Sequence, residues 1–180
     1  MPCRLGQAWW RALTLDTDFY TKTTRARRTL RSAQIVVGVA ALSHTVGSSM
    51  ILLTYNTSLG LQLLAFLINA ASIVAGYYIW TFTIWQFGVW LQASIPRYKR
   101  LLNPIGFTYA PQVFNIFTVV PLLGRPIELG LAVWSLIAAI VALQSGCSLK
   151  RGKAISICTL GWVVVQVAIG VVQIGVQGFL

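Results

Sequence analysis

The chain has 180 residues, 57% of them hydrophobic and only 9% charged, with mean hydropathy +0.74 and a formal net charge of +11. A soluble domain carries about 25% charged residues, so this composition excludes a separate soluble domain. It does not point to nucleic acid either: the basic residues sit in short clusters between long apolar runs, the pattern of loops that face an anionic membrane leaflet.

Residues 1–32 read as a cytoplasmic or interfacial amphipathic arm. Leu5, Trp9 and Leu13 recur every four residues with Trp10 beside them, which suits a short helix lying in the membrane interface. Asp16 or Thr17 is placed to cap a second helix through Phe19 and Tyr20. The stretch lacks the apolar core and cleavage site of a secretory signal.

Residues 33–180 read as an all-α, polytopic bundle of five transmembrane helices, since about 20 apolar residues cross a bilayer. The first span covers about 33–55 and the second about 61–91. The second is long enough that it must tilt, project or bend near Gly76. The third, about 104–122, is punctuated by Pro104, Pro111 and Pro121, which predicts a kinked helix with an interfacial lead-in. The fourth covers about 126–145 and the fifth about 154–176.

Orientation follows from charge. Arg4, Arg11, Lys22, Arg25, Arg27, Arg28 and Arg31 precede the first span; Arg97, Lys99 and Arg100 follow the second; Lys150, Arg151 and Lys153 follow the fourth. Only Arg125 falls on the other side. Positive residues mark the cytoplasmic face, so the amino terminus is expected in the cytoplasm and the carboxyl terminus outside. Arg25, Arg27, Arg28, Arg31, Arg97, Lys99, Arg100, Lys150, Arg151 and Lys153 are the candidates for binding anionic headgroups.

Within the spans the polar residues fall into faces. The first offers Ser43, His44, Gly47 and Ser48, the second Asn69, Ser72 and Gly76, and the third Thr108, Gln112 and Asn115. The fifth carries Thr159, Gln166, Gly170, Gln173 and Gln177 at helical spacing. In lipid such residues turn inward and bond across helices. Read functionally, His44, Asn69, Gln112, Asn115 and Gln166 are weak candidates for holding a pigment or other cofactor. The aromatic run from Tyr77 to Trp90 reads as an interfacial belt.

Catalysis finds little support. His44 is the only histidine, and Asp16, Asp18 and Glu128 are the only acids. No acid is expected at the depth of His44, and Glu128 reads as a first-turn acid complementing its helix dipole. No nucleophile–base constellation, zinc signature or phosphate-binding loop is present. Cys3, Cys147 and Cys158 lack metal-ligand spacing and read as free thiols on one side of the membrane. The expectation is therefore no enzyme, no metal and no required cofactor, with pigment or lipid as the ligands to consider.

Several segments together resemble the bacterial members of the Yip family, five-span proteins named for binding Rab-type GTPases. They are Trp10-Arg11-Ala12-Leu13-Thr14-Leu15-Asp16-Thr17-Asp18-Phe19-Tyr20, Gly106-Phe107-Thr108-Tyr109-Ala110-Pro111, Pro121, Leu131-Ala132-Val133-Trp134-Ser135-Leu136-Ile137 and Lys150-Arg151-Gly152-Lys153-Ala154. The resemblance implies five spans with the amino terminus in the cytosol. The arm here departs from the eukaryotic members, being short and basic where theirs is longer, so the resemblance implies architecture rather than GTPase binding. The expected function is a non-enzymatic scaffold or accessory subunit. It would pack against other integral membrane proteins or itself and against anionic lipid, in a bacterial cytoplasmic or thylakoid-type internal membrane. The alternatives are a small transporter or channel using the polar face of the fifth span, and a pigment-binding subunit of a photosynthetic complex.

Overall fold

The computed structural model describes residues 5–26, 29–53, 59–120 and 123–177. Every regular element among them is helical. The arm folds as α1 (Leu5–Leu13) and α2 (Thr17–Arg25). Asp16 is the cap, its carboxylate accepting from the backbone N–H groups of Asp18 and Phe19 at 3.0 and 3.3 Å. Such a side chain satisfies donors that a helix start leaves unpaired. Leu15 turns the chain between the two helices at φ 58°. The Tyr20 hydroxyl then donates to the Ala12 carbonyl at 3.1 Å and ties α2 back onto α1.

Four long helices follow the expected spans one, two, four and five: α3 (Leu30–Leu53), α4 (Leu59–Trp90), α6 (Gly124–Cys147) and α7 (Arg151–Gln177). The α4 helix has 32 residues and runs unbroken through Gly76. That is about 48 Å at 1.5 Å per residue, more than a hydrocarbon core of about 30 Å. The expected loop at 56–60 lies mostly outside the described residues.

The third expected span, 104–122, is not one helix. It divides into α5 (Tyr98–Phe107), which contains Pro104, and a ten-residue 3-10 helix, η1 (Ala110–Val119), with Pro111 in its first turn. Proline lacks the N–H that would carry the α-helical ladder across this junction. The Thr108 and Tyr109 N–H groups instead close tight turns onto Ile105 and Gly106.

Contacts fix the directions of the elements. Ala33 of α3 meets Gly106, whereas Ser43 meets Val113 and Ile116, so α3 and η1 run parallel. The α4 helix returns, with Tyr78 late in it bonded to Gln34 early in α3. The α6 helix also returns, from Glu128 beside His44 to Ser145 and Gly146 beside Thr21 and Thr24 of the arm. The α7 helix departs again, with Lys153 near Leu91 and Gly161 against Trp80 and Ile84. The arm, residues 91–97 and residues 148–150 therefore share one end of the bundle. Every described basic residue except Arg125 lies there.

The α5 helix lies across this end. Its residues from Leu101 to Phe107 are all buried. The Tyr98 hydroxyl reaches the Tyr78 carbonyl at 3.3 Å, while Tyr109, just beyond the other end, packs on Tyr77 and Trp80. Tyr77 also donates to the Leu102 carbonyl at 2.8 Å. Part of the expected aromatic belt is thus an internal shelf for α5: Tyr77 and Trp80 are buried, and only Trp90 and Phe82 are strongly exposed.

Toward the other end the packing changes character. The interior of α3 and α6 is lined by small or polar residues: Ala40, Ala41, Ser43, Thr45, Ser135, Ala138, Ala139 and Ala142. The outside carries Ile35, Val39, Leu42 and Val46 on α3 and Leu129, Val133, Trp134 and Ile137 on α6. Spacings of three and four place each set on one helical face.

Candidate functional site

The polar residues of this half collect where α3, η1 and α6 meet. Helical spacing sets Ser43 and Gly47 on one face of α3, with His44 beside them. The Ser43 hydroxyl donates to the Val113 carbonyl at 2.5 Å and accepts from the Ile116 N–H at 2.9 Å. An undisturbed 3-10 turn would join those two backbone groups to each other, so the hydroxyl is spliced into the ladder of η1. One turn on, a Cβ at Gly47 would lie 2.5 Å from both the Asn115 carbonyl and the Thr118 hydroxyl. Only glycine permits that approach. Thr118 itself donates to the Asn115 carbonyl at 2.6 Å.

Above this contact, α6 begins with Arg125 and Glu128. One Glu128 oxygen lies 3.5 Å from His44 Nε2 and the other 3.3 Å from Arg125 Nη1. This corrects the expectation that no acid stands at the depth of His44. Glu128 was visible in the sequence as a first-turn acid. Its partner was not, because only the hairpin formed by η1 and α6 brings the start of α6 down beside the middle of α3. His44 precedes Leu53 by nine residues, so the pair meets α3 on the order of 13 Å short of its end.

Three buried polar atoms on these same elements have no hydrogen-bond partner among the described residues: His44 Nδ1, Asn115 Oδ1 and Ser135 Oγ. Asn115 and Ser135 are both only 2% exposed. Buried polar groups are normally paired. Chemically the arrangement sets an imidazole against a carboxylate at 3.5 Å. It does not offer an activated nucleophile, since the hydroxyl next to His44 is already engaged with backbone.

Of the candidate cofactor residues, His44 and Asn115 share this seam. Gln112 is half-buried in the first turn of η1, its backbone N–H bonded to the Tyr109 carbonyl at 3.0 Å. Asn69 is half-buried on α4, and the side chain of Gln166 on α7 lies outside the described residues. In the expected polar stripe of α7, Thr159 is exposed, while Ala154, Ile157, Cys158 and Gly161 face inward. The stripe therefore does not begin on the packed face.

The headgroup candidates Arg31, Arg97, Lys99, Arg100, Lys150, Arg151 and Lys153 are all exposed at the shared end. Arg27, Arg28 and the side chain of Arg25 lie outside the described residues. Cys147 and Cys158 are free and buried, and Cys3 lies outside the described residues. No group of three metal-ligating side chains occurs among the described residues.

Among the described residues two helical stretches, Gln62–Trp90 and Gly124–Cys147, are long and apolar enough to cross a membrane. Only 12% and 28% of their apolar windows are buried inside the protein. No protein-family model, curated protein or solved structure matches the chain.

Proposed function

We propose that this chain is a five-span integral membrane protein of the Yip-like kind. In this reading it acts as a non-enzymatic scaffold or accessory subunit, seated on anionic lipid at its basic end. The observation that carries the reading is the inverted burial. The core helix of a soluble protein would hide its large apolar side chains, yet here Ile, Leu, Val and Phe face outward from α3, α4, η1, α6 and α7. Small residues pack inward, as they do where lipid rather than water surrounds a bundle. A contiguous apolar surface of this extent marks a membrane or protein partner. The one-ended basic charge supports a cytoplasmic orientation for that end in a bacterial cytoplasmic or thylakoid-type membrane.

Site-directed labelling tests the topology. Cysteines introduced at Ser94 and at Ser58 should differ, with only the second reacting with an impermeant reagent in intact cells. Native Cys147 is a poor reporter, because it is buried. Native mass spectrometry from mild detergents tests the scaffold role: a second membrane protein or retained anionic lipid is expected, and a lone, lipid-free protein in every detergent would count against it.

A further inference from the structure

We infer that η1 is a two-state element, held in its extended 3-10 form by the Ser43 hydroxyl and the His44–Glu128 pair and able to contract to an α-helix. The inference goes beyond the scaffold reading and does not depend on it.

Runs of 3-10 helix longer than three or four residues are uncommon. Here the run lasts ten residues, Ala110–Val119. Two anchors explain why. At the lower end α5 is buried from Leu101 to Phe107, and the Gly106 backbone sits tight against Ala33. At the upper end Glu128 of α6 is clasped by His44 of α3. Ten residues reach about 20 Å at the 3-10 rise but only about 15 Å at the α rise. The extended form spans the gap between the anchors, and the α form would fall short by about 5 Å.

That shortfall is about one helical turn of α3. Contraction would draw the start of α6 along α3, taking Glu128 from His44 toward Ala40 and Ala41, and it works against the seat of Gly146 on Thr24 at the other end of α6. The clasp and the length of η1 are therefore coupled: a closed pair requires the extended segment. Ser43 adds a second hold by occupying the Val113 carbonyl and the Ile116 N–H, the groups that an α-helical ladder would reassign. Asn115 supplies the sign of an unfinished fit. Its buried Oδ1 lacks a donor in the extended form, and winding from 3-10 to α turns each residue by roughly 20° relative to the last, which re-aims that side chain. On the outer face Ile116, Phe117 and Val120 are exposed, and the contact to be shifted is Trp9, which packs on Phe114 at 5.6 Å and donates to the Ala110 carbonyl at 3.2 Å.

The test is a pair of spin labels on the full chain in lipid nanodiscs, with the native cysteines replaced by alanine. Labels at Arg100→Cys, near the start of α5, and at Val120→Cys, just beyond η1, enclose the whole of η1. A control pair at Ile35→Cys and Ile79→Cys reports on α3 against α4. Ser43→Ala combined with Glu128→Gln should shorten the first distance by about 5 Å and leave the control pair unchanged. An unchanged first distance would overturn the inference and make η1 a rigid strut. Should the double variant move the control pair, His44→Gln, which leaves Glu128 with Arg125, decides by the same two readings.

Discussion

The two halves of this bundle are built for different surroundings. At the basic end the largest buried side chains, among them Tyr20, Tyr77, Phe107, Leu101 and Ile105, close around α5, and the arm covers them. That is how a chain packs where water competes for its exterior. In the other half the helices approach through Ala, Ser, Gly and Thr and turn Leu, Ile and Val outward. Apolar burial drives the first half together. Close backbone approach and hydrogen bonds such as Ser43 to η1 hold the second. One chain thus changes its packing rule along the length of α3, between Ala33, which meets the buried plug formed by α5, and Ser43, where α3, η1 and α6 meet.

The comparison breaks most visibly at Phe107. It is 1% exposed and meets Phe19 edge-on at 5.0 Å. Phe107→Ala should cost about 3–5 kcal/mol, read as a lowered unfolding midpoint in detergent, and should free the arm to proteolysis. A loss under about 1 kcal/mol would mean that the arm is not packed on the plug. On the other half, Leu42→Lys probes the surroundings rather than the packing. Leu42 is 53% exposed near the middle of α3. A lysine there should weaken insertion of an isolated α3 segment by about 3 kcal/mol in a translocon assay, with no loss of helix–helix contact. Unchanged insertion would place this face in water.

The sequence carries the two rules unequally. The four long helices and their one-ended charge are legible because composition and positive-residue placement act over whole segments. The Asp16 cap is legible because capping is local. The break of the third span was announced by three prolines, but not its outcome. Nothing in Ala110–Val119 taken alone demands a 3-10 helix, which depends on anchors supplied by α3 and α6. For the same reason Glu128 reads locally as a dipole-complementing acid, and its pairing with His44 emerges only once the hairpin is closed. Thr159 shows the opposite error, since helical spacing groups residues on a face but gives no means of telling which way that face points.

A smaller effect is expected at the arm. Asp16→Ala removes the acceptor for the Asp18 and Phe19 N–H groups and the 3.9 Å contact with Arg11. The cap accounts for about 1 kcal/mol; the half-exposed ion pair adds little. The loss should appear in hydrogen exchange at the first turn of α2, with α3 unaffected. Equal loosening of α3 would show that the arm and the bundle unfold as one unit.

The smallest effect is expected at Ser72, and it sharpens the comparison with Ser43. Both are serines within apolar helices. The Ser43 hydroxyl bonds a different element and joins α3 to η1. The Ser72 hydroxyl is exposed on α4 and donates at 2.7 Å to the Ile68 carbonyl of its own helix. Such back-bonding satisfies the hydroxyl without a neighbour, which lets a polar residue face hydrocarbon at little cost. Ser72→Ala should therefore change stability by less than about 0.5 kcal/mol, the range of substitutions that touch no special feature. Thermal unfolding in detergent and in lipid nanodiscs should give the same near-zero change. If the variant were neutral in detergent but destabilised in nanodiscs by more than about 1 kcal/mol, Ser72 would be meeting a partner helix in the bilayer. The outward face of α4 would then be an interface rather than a surface for lipid.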